Sequence, residues 1–144
     1  MENIKMMNLL LVITMVVTSM EFHGTMAIDL SVGDSFGWNV PSNEIFYDVW
    51  AMIQEGGIYV NDVLVFNFAT GVHNVAEVSL QAHDACDGSN PIKMYTSGPA
   101  HVSLNTAGIH YFISTIGSDC KSYMRMIVRV EKPPANNSSS TLLN

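Results

Sequence analysis

The stretch "YFISTIGSDCKSYMRM", Tyr111 to Met126, reads as a β-strand, a tight loop and a second strand. Aromatic and β-branched residues favour the pleated ends, and the Gly-Ser-Asp cluster between them favours a turn. Ser114, Asp119, Cys120 and Met124 stand in or beside that loop, at spacings that suggest a metal-ligand loop.

Working outward, the chain from Ile28 onward repeats the same grammar of short strands separated by turn chemistry, with little at helical spacing. "DLSV" precedes Gly33-Asp34, and "IYVNDVLVFNF" carries an Asn61-Asp62 turn. After that turn Leu64, Phe66 and Phe68 alternate against Val63, Val65 and Asn67. Gly71 punctuates before "HNVAEVS", "AHVSLNT" alternates Val102 and Leu104 against His101, Ser103 and Asn105, and "HYFIST" and "YMRMIVRVE" complete the set. Two segments read as short helices, Tyr47–Gln54 around Trp50 and Leu80–Cys86. Seven or eight short strands so spaced predict an all-β, two-sheet sandwich with Greek-key connections. Its core is expected from Trp38, Trp50, Val63, Val65, Phe66, Phe68, Val75, Leu104, Phe112, Ile127 and Val130.

The ends read differently. Residues 1–27 hold one Lys near the start, an uncharged apolar run from Leu9 to Val17 and small residues at Thr25 and Ala27. That is the pattern of a secretory signal peptide; the run is too short for a membrane span. Residues 28–132 form the predicted domain, and the Pro/Asn/Ser-rich stretch 133–144 is expected to be disordered. Asn136 and Asn137 both satisfy the N-glycosylation pattern. No hydrophobic run follows them, so no GPI-anchor signal is expected. Taking away Lys5, Glu2 and Glu21 leaves an acidic mature chain of about −6. No basic stripe could neutralise phosphates, so charge disfavours nucleic acid as a partner class.

Cys86 and Cys120 are the only cysteines. In an exported chain the expectation is that they join, the alternative being a thiolate able to hold metal.

The segments "DVWAMIQEGGIYVNDVLVFNFATGVHNVAEVS", "CDGSNPI", "SGPAHVSLNTAGIHYFIS" and "IGSDC" together resemble the phytocyanins, the plant branch of the blue copper cupredoxins. The resemblance runs from about Leu30 to Glu131. It implies a cupredoxin-like β-sandwich, a Cys86–Cys120 disulfide and four ligand positions converging at one end. By that resemblance the first ligand His falls on His73, the ligand Cys on Ser114, the second ligand His on Asp119 and the weak axial ligand on Met124. The spacing is kept, and two of the four chemical groups are not. A blue-copper centre depends on a thiolate within a trigonal His₂Cys set. A hydroxyl at Ser114 stays protonated, and a carboxylate at Asp119 suits harder ions. Early nodulin-like members resemble this chain in carrying Tyr-Phe-Ile-Ser, and are regarded as copper-free, glycosylated cell-surface proteins. This chain departs from them in keeping His73 within His-Asn-Val and in lacking a long Pro/Ser tail.

The expectation is therefore a secreted, non-enzymatic relative with no cofactor, or copper at most weakly bound. Such a module would act in binding or structure outside the cell, with wall polysaccharide, glycoprotein or a receptor ectodomain as partner classes. The alternative is electron transfer through bound copper. Convergence of His73, Ser114 and Asp119 would also bring together a superficial Ser/His/Asp set, though without a nucleophile-elbow motif. His101 and His110 are expected on strands outside the ligand pattern, His83 in a solvated surface loop, and Tyr95 or Tyr123 as possible aromatic platforms.

Overall fold

The computed structural model describes residues 26–134; the signal-peptide and glycosylation readings lie outside the described residues. Among the described residues, seven strands form two sheets. The first, in the order β1-β2-β5, joins Asp29–Ser31, Val63–Phe66 and Ala100–Ser103. The second, in the order β4-β3-β6-β7, joins Lys93–Tyr95, Val75–Val78, Gly108–Ile113 and Arg125–Val130. Strands β1 and β2 run parallel and all other pairs antiparallel. Two short helices complete the fold, α1 (Phe46–Met52), which packs on β7, and α2 (Leu80–Ala85), which packs on β6. Both lie where the sequence places them.

The core is a run of aromatic rings joining the layers. Trp38 lies 4.6 Å from Tyr47 of α1 and 5.0 Å from Phe66 of β2, and Phe66 lies 5.4 Å from Phe112 of β6. Trp38, Phe66 and Phe112 are wholly buried. Such rings contribute both buried apolar area and edge-to-face geometry. The Tyr47 hydroxyl accepts from Asn39 N at 2.8 Å and faces the carbonyls of Gly37 and Asn39. Desolvation by burial pushes its pKa well above the ordinary tyrosine value, although the Asn39 backbone bond opposes the rise.

Three expected core residues are only half-buried. In β2 the period-two alternation sends Leu64 and Phe66 inward, while Val63 and Val65 pair with the exposed Ser103 and His101 on the outer face. In β7 the inward set is Met126, Val128 and Val130, which turns Ile127 to the other face. Leu64, absent from the expected core, has no exposure at all.

His83 is also displaced from expectation. It sits on α2 at 4% exposure, not in a solvated loop. Its ring lies 5.6 Å from Tyr111 and its Nδ1 lies 3.0 Å from Asp84 Oδ1. The helix closes over the outer face of the second sheet, and the disulfide follows at its C-terminus, so His83 is drawn under cover. His110 is half-buried on β6, with Nδ1 2.8 Å from Glu77 Oε1; His101 is exposed on β5.

Cys86 and Cys120 form a disulfide with Cα atoms 5.7 Å apart, and among the described residues no cysteine is free. It ties the end of α2 to the loop between β6 and β7.

Candidate metal centre

His73 stands in the turn before β3. Gly71, at φ +84°, supplies the left-handed residue this turn requires, and the amide of Val72 donates to Ala69 O at 3.0 Å. Ser114 follows the last residue of β6. Asp119 precedes a single 3₁₀ turn, Cys120–Ser122, and Met124 precedes β7. Two backbone bonds close these positions on one another. Ser114 N donates to Met124 O at 3.0 Å, and Met124 N donates to Asp119 O at 2.9 Å. The five-and-five spacing is thus the span of a loop that folds back on its own backbone.

The side chains meet at one atom. Asp119 Oδ2 lies 2.7 Å from His73 Nδ1 and accepts a 2.7 Å hydrogen bond from Ser114 Oγ. Ser114 is wholly buried, whereas His73 and Asp119 keep 12% and 14% of their side-chain surface. The Met124 side chain has no exposure and belongs to the main core, while its backbone closes the loop.

Asn74, to which the sequence reading assigned no role, holds the two halves of the site together. Its Oδ1 accepts from Thr115 N at 2.7 Å and its Nδ2 donates to Thr115 Oγ1 at 2.7 Å. Its backbone carbonyl accepts from Trp38 Nε1 at 2.9 Å, which ties the site to the aromatic core. The available signal was an Asn inside an otherwise apolar strand start, because a buried amide needs partners for both of its ends. Asn74→Ala is expected to lower unfolding free energy by about 1–2 kcal/mol, since it removes two hydrogen bonds to the half-buried Thr115. Denaturant unfolding beside the parent protein measures this.

Chemically, the donor set does not fit a blue-copper centre. The hydroxyl at 114 and the carboxylate at 119 are hard groups, and each is already spent on a hydrogen bond within the cluster. The position beside Asp119 offers no substitute thiolate, because Cys120 is in the disulfide. Among the described residues, no three His, Cys, Asp or Glu side chains converge to hold a metal. The arrangement also differs from a hydrolytic triad. Ser114 bonds to the carboxylate rather than to the imidazole, which leaves the acid in the centre where a base would have to stand.

Comparison with known proteins places this geometry. The model of the plastocyanin-like domain matches residues 38–124. The chain belongs to the phytocyanin family. It is 38% identical over 104 residues to a blue copper protein of Arabidopsis thaliana, covering 72% of this chain and 52% of that one. It is 30% identical over 114 residues to early nodulin-like protein 9 of Arabidopsis thaliana, covering 79% and 55%. The chain therefore spans about half the length of these two relatives. Among solved structures, cucumber stellacyanin with Cu²⁺ superposes with a TM-score of 0.68 at 32% identity, covering 76% of this chain and all of that one. The phytocyanin relatives thus include both blue copper proteins and early nodulin-like proteins, and the fold is the cupredoxin-like sandwich with one disulfide.

Proposed function

We propose that this phytocyanin is a secreted, non-redox module that works outside the cell by binding or by structure, with its ancestral metal end closed by hydrogen bonds. The observation that carries this reading is the single oxygen, Asp119 Oδ2, bonded at once to His73 Nδ1 and Ser114 Oγ. A proton-bridged cluster occupies the point where ligand side chains would have to meet a metal. The disulfide supports the same reading, since it withholds the one nearby sulfur that could replace the missing thiolate. We assign residues 1–27 to an export signal, 28–132 to the domain and 133–144 to a tail glycosylated at Asn136 or Asn137. Partners fall among wall polysaccharides, glycoproteins and receptor ectodomains.

Copper titration of the purified, oxidised protein, followed by visible absorption, tests this. No intense thiolate-to-copper band is expected at any copper concentration. A blue band would overturn the reading, because Cys120 would have to leave the disulfide to join the metal. Non-coloured Cu²⁺ binding that vanishes in both His73→Ala and Asp119→Ala would instead restore a metal-binding role without electron transfer.

A further inference from the structure

Helix α1 is apolar on both of its faces. Tyr47 and Trp50 fill the core, yet Ile45, Val49 and Ile53, spaced four apart, form a stripe on the outside at 57%, 41% and 66% exposure. Residues three and four apart share one helix face, and a surface helix ordinarily carries polar groups there. The stripe borders a groove of about 570 Å³ that Phe46 and Trp50 help to line. Phe36, itself 43% exposed, extends the apolar surface by packing edge-on against Phe46 at 4.9 Å. A contiguous apolar surface of this kind marks an interaction site.

The charge around the groove is of one sign. Asp34 and Glu44 both line it, and among the described residues no Lys or Arg does. Asp34 is held in place by the Trp50 indole, whose Nε1 donates to its Oδ1 at 3.1 Å. The chain has no Lys or Arg at all between Lys5 and Lys93. Arg129 lines the separate hollow at the neighbouring face of α1, where Asp48 and Glu131 accompany it. The ligand-end residues His73, Ser114, Asp119 and Met124 take no part in the groove.

We propose that this groove docks a cationic amphipathic segment of another protein, its apolar side chains lying along Ile45, Val49 and Ile53 and its Lys or Arg residues facing Asp34 and Glu44. Charge decides among the occupants. A second copy would bring the same carboxylates against each other, and a chain of formal charge −7 repels an anionic membrane. A neutral oligosaccharide carries no cation to answer Asp34 and Glu44, and the Trp50 ring is only 4% exposed. Helix-in-groove docking of this type reads spaced apolar anchors and takes its selectivity from flanking charge. The proposal is independent of the closed metal end, and the copper titration cannot decide it.

Fluorescence anisotropy with three labelled synthetic peptides tests it on the purified, oxidised protein. One peptide carries a Leu face and a Lys face, one a Leu face and a Glu face, and one keeps the Lys residues with Ser in place of Leu. Saturable binding of the Leu/Lys peptide alone is expected, weakening as salt is raised and perturbing tryptophan emission. Val49→Ser with Ile53→Ser is expected to weaken it roughly tenfold or more. Glu44→Gln is expected to weaken it severalfold and to flatten the salt dependence. All three replaced side chains are exposed, so unchanged thermal unfolding separates lost docking from lost folding. Equal binding of the Leu/Glu or the Ser/Lys peptide would overturn the proposal. So would indifference to the Val49→Ser, Ile53→Ser change, or sedimentation showing a dimer that this change dissolves.

Discussion

Ser114→Cys combined with Asp119→His is expected to give this protein an intense visible copper band that the parent lacks. The expectation rests on where Asp119 Oδ2 now sits, within 2.7 Å of both His73 Nδ1 and Ser114 Oγ. Side chains at these three positions already converge without reorganising the backbone, which is held by the 114-to-124 and 124-to-119 bonds. Replacing the hydroxyl by a thiol and the carboxylate by an imidazole completes a His₂Cys set. It also removes the acceptor that holds His73 Nδ1. Titration should show saturation near one copper per chain, with colour lost on reduction. Each single change should fail, since Ser114→Cys alone leaves the carboxylate on His73 and Asp119→His alone supplies no thiolate. A double variant that folds, as judged by its thermal transition, yet stays colourless would mean that the scaffold itself has closed. The obstacle to copper binding would then lie deeper than two side chains.

Removing the Cys86–Cys120 disulfide is expected to be the most damaging change to stability. The bridge spans a separation of 34 residues, and closing a loop of that size restricts the unfolded chain by about 3.5–4 kcal/mol on the chain-entropy model. Cys86→Ala with Cys120→Ala should lower the thermal midpoint by on the order of 10–20 °C. Position sharpens the expectation. The bridge pins α2, with its buried His83, to the loop that carries Asp119, so loosening should begin at that end. Hydrogen exchange in the double-alanine protein should therefore accelerate first around residues 80–86 and 114–124, before the strands of the first sheet. Uniform acceleration throughout would show that the bridge acts only on the unfolded state.

Much of the fold was readable because its signals are local. Alternation along "VLVF" and "AHVS", the turn residues between strands and the Trp50-centred helix each depend on neighbours a few positions away. The burial of particular residues was less so. Val63, Val65 and Ile127 are as apolar as Leu64 and Val128, and only the register of β2 against β5 and of β7 against β6 decides which face each one meets. His83 misled for a related reason. A polar residue near Cys86 reads as part of a solvated surface loop until its segment is known to be a helix lying against a sheet. The groove beside α1 was not legible either, because only the packing of Tyr47 and Trp50 into the core shows that Ile45, Val49 and Ile53 face outward.

What the sequence by itself determined is the inventory at the metal end: a hydroxyl at 114, a carboxylate at 119, an imidazole at 73 and a thioether at 124. Their identity places no thiolate at those four positions, whereas the withdrawal of Cys120 into the disulfide is a fact of the tertiary structure. What only the tertiary structure decided is how those groups dispose of one another. Residues 73 and 119 come from different strand connections, 46 positions apart, and no local rule sets the distance between them. Packing of β3 against β6, latched by Asn74 and Thr115, brings them within hydrogen-bond reach. In a partly buried place a carboxylate next to an imidazole and a hydroxyl bonds to both rather than remain unpaired.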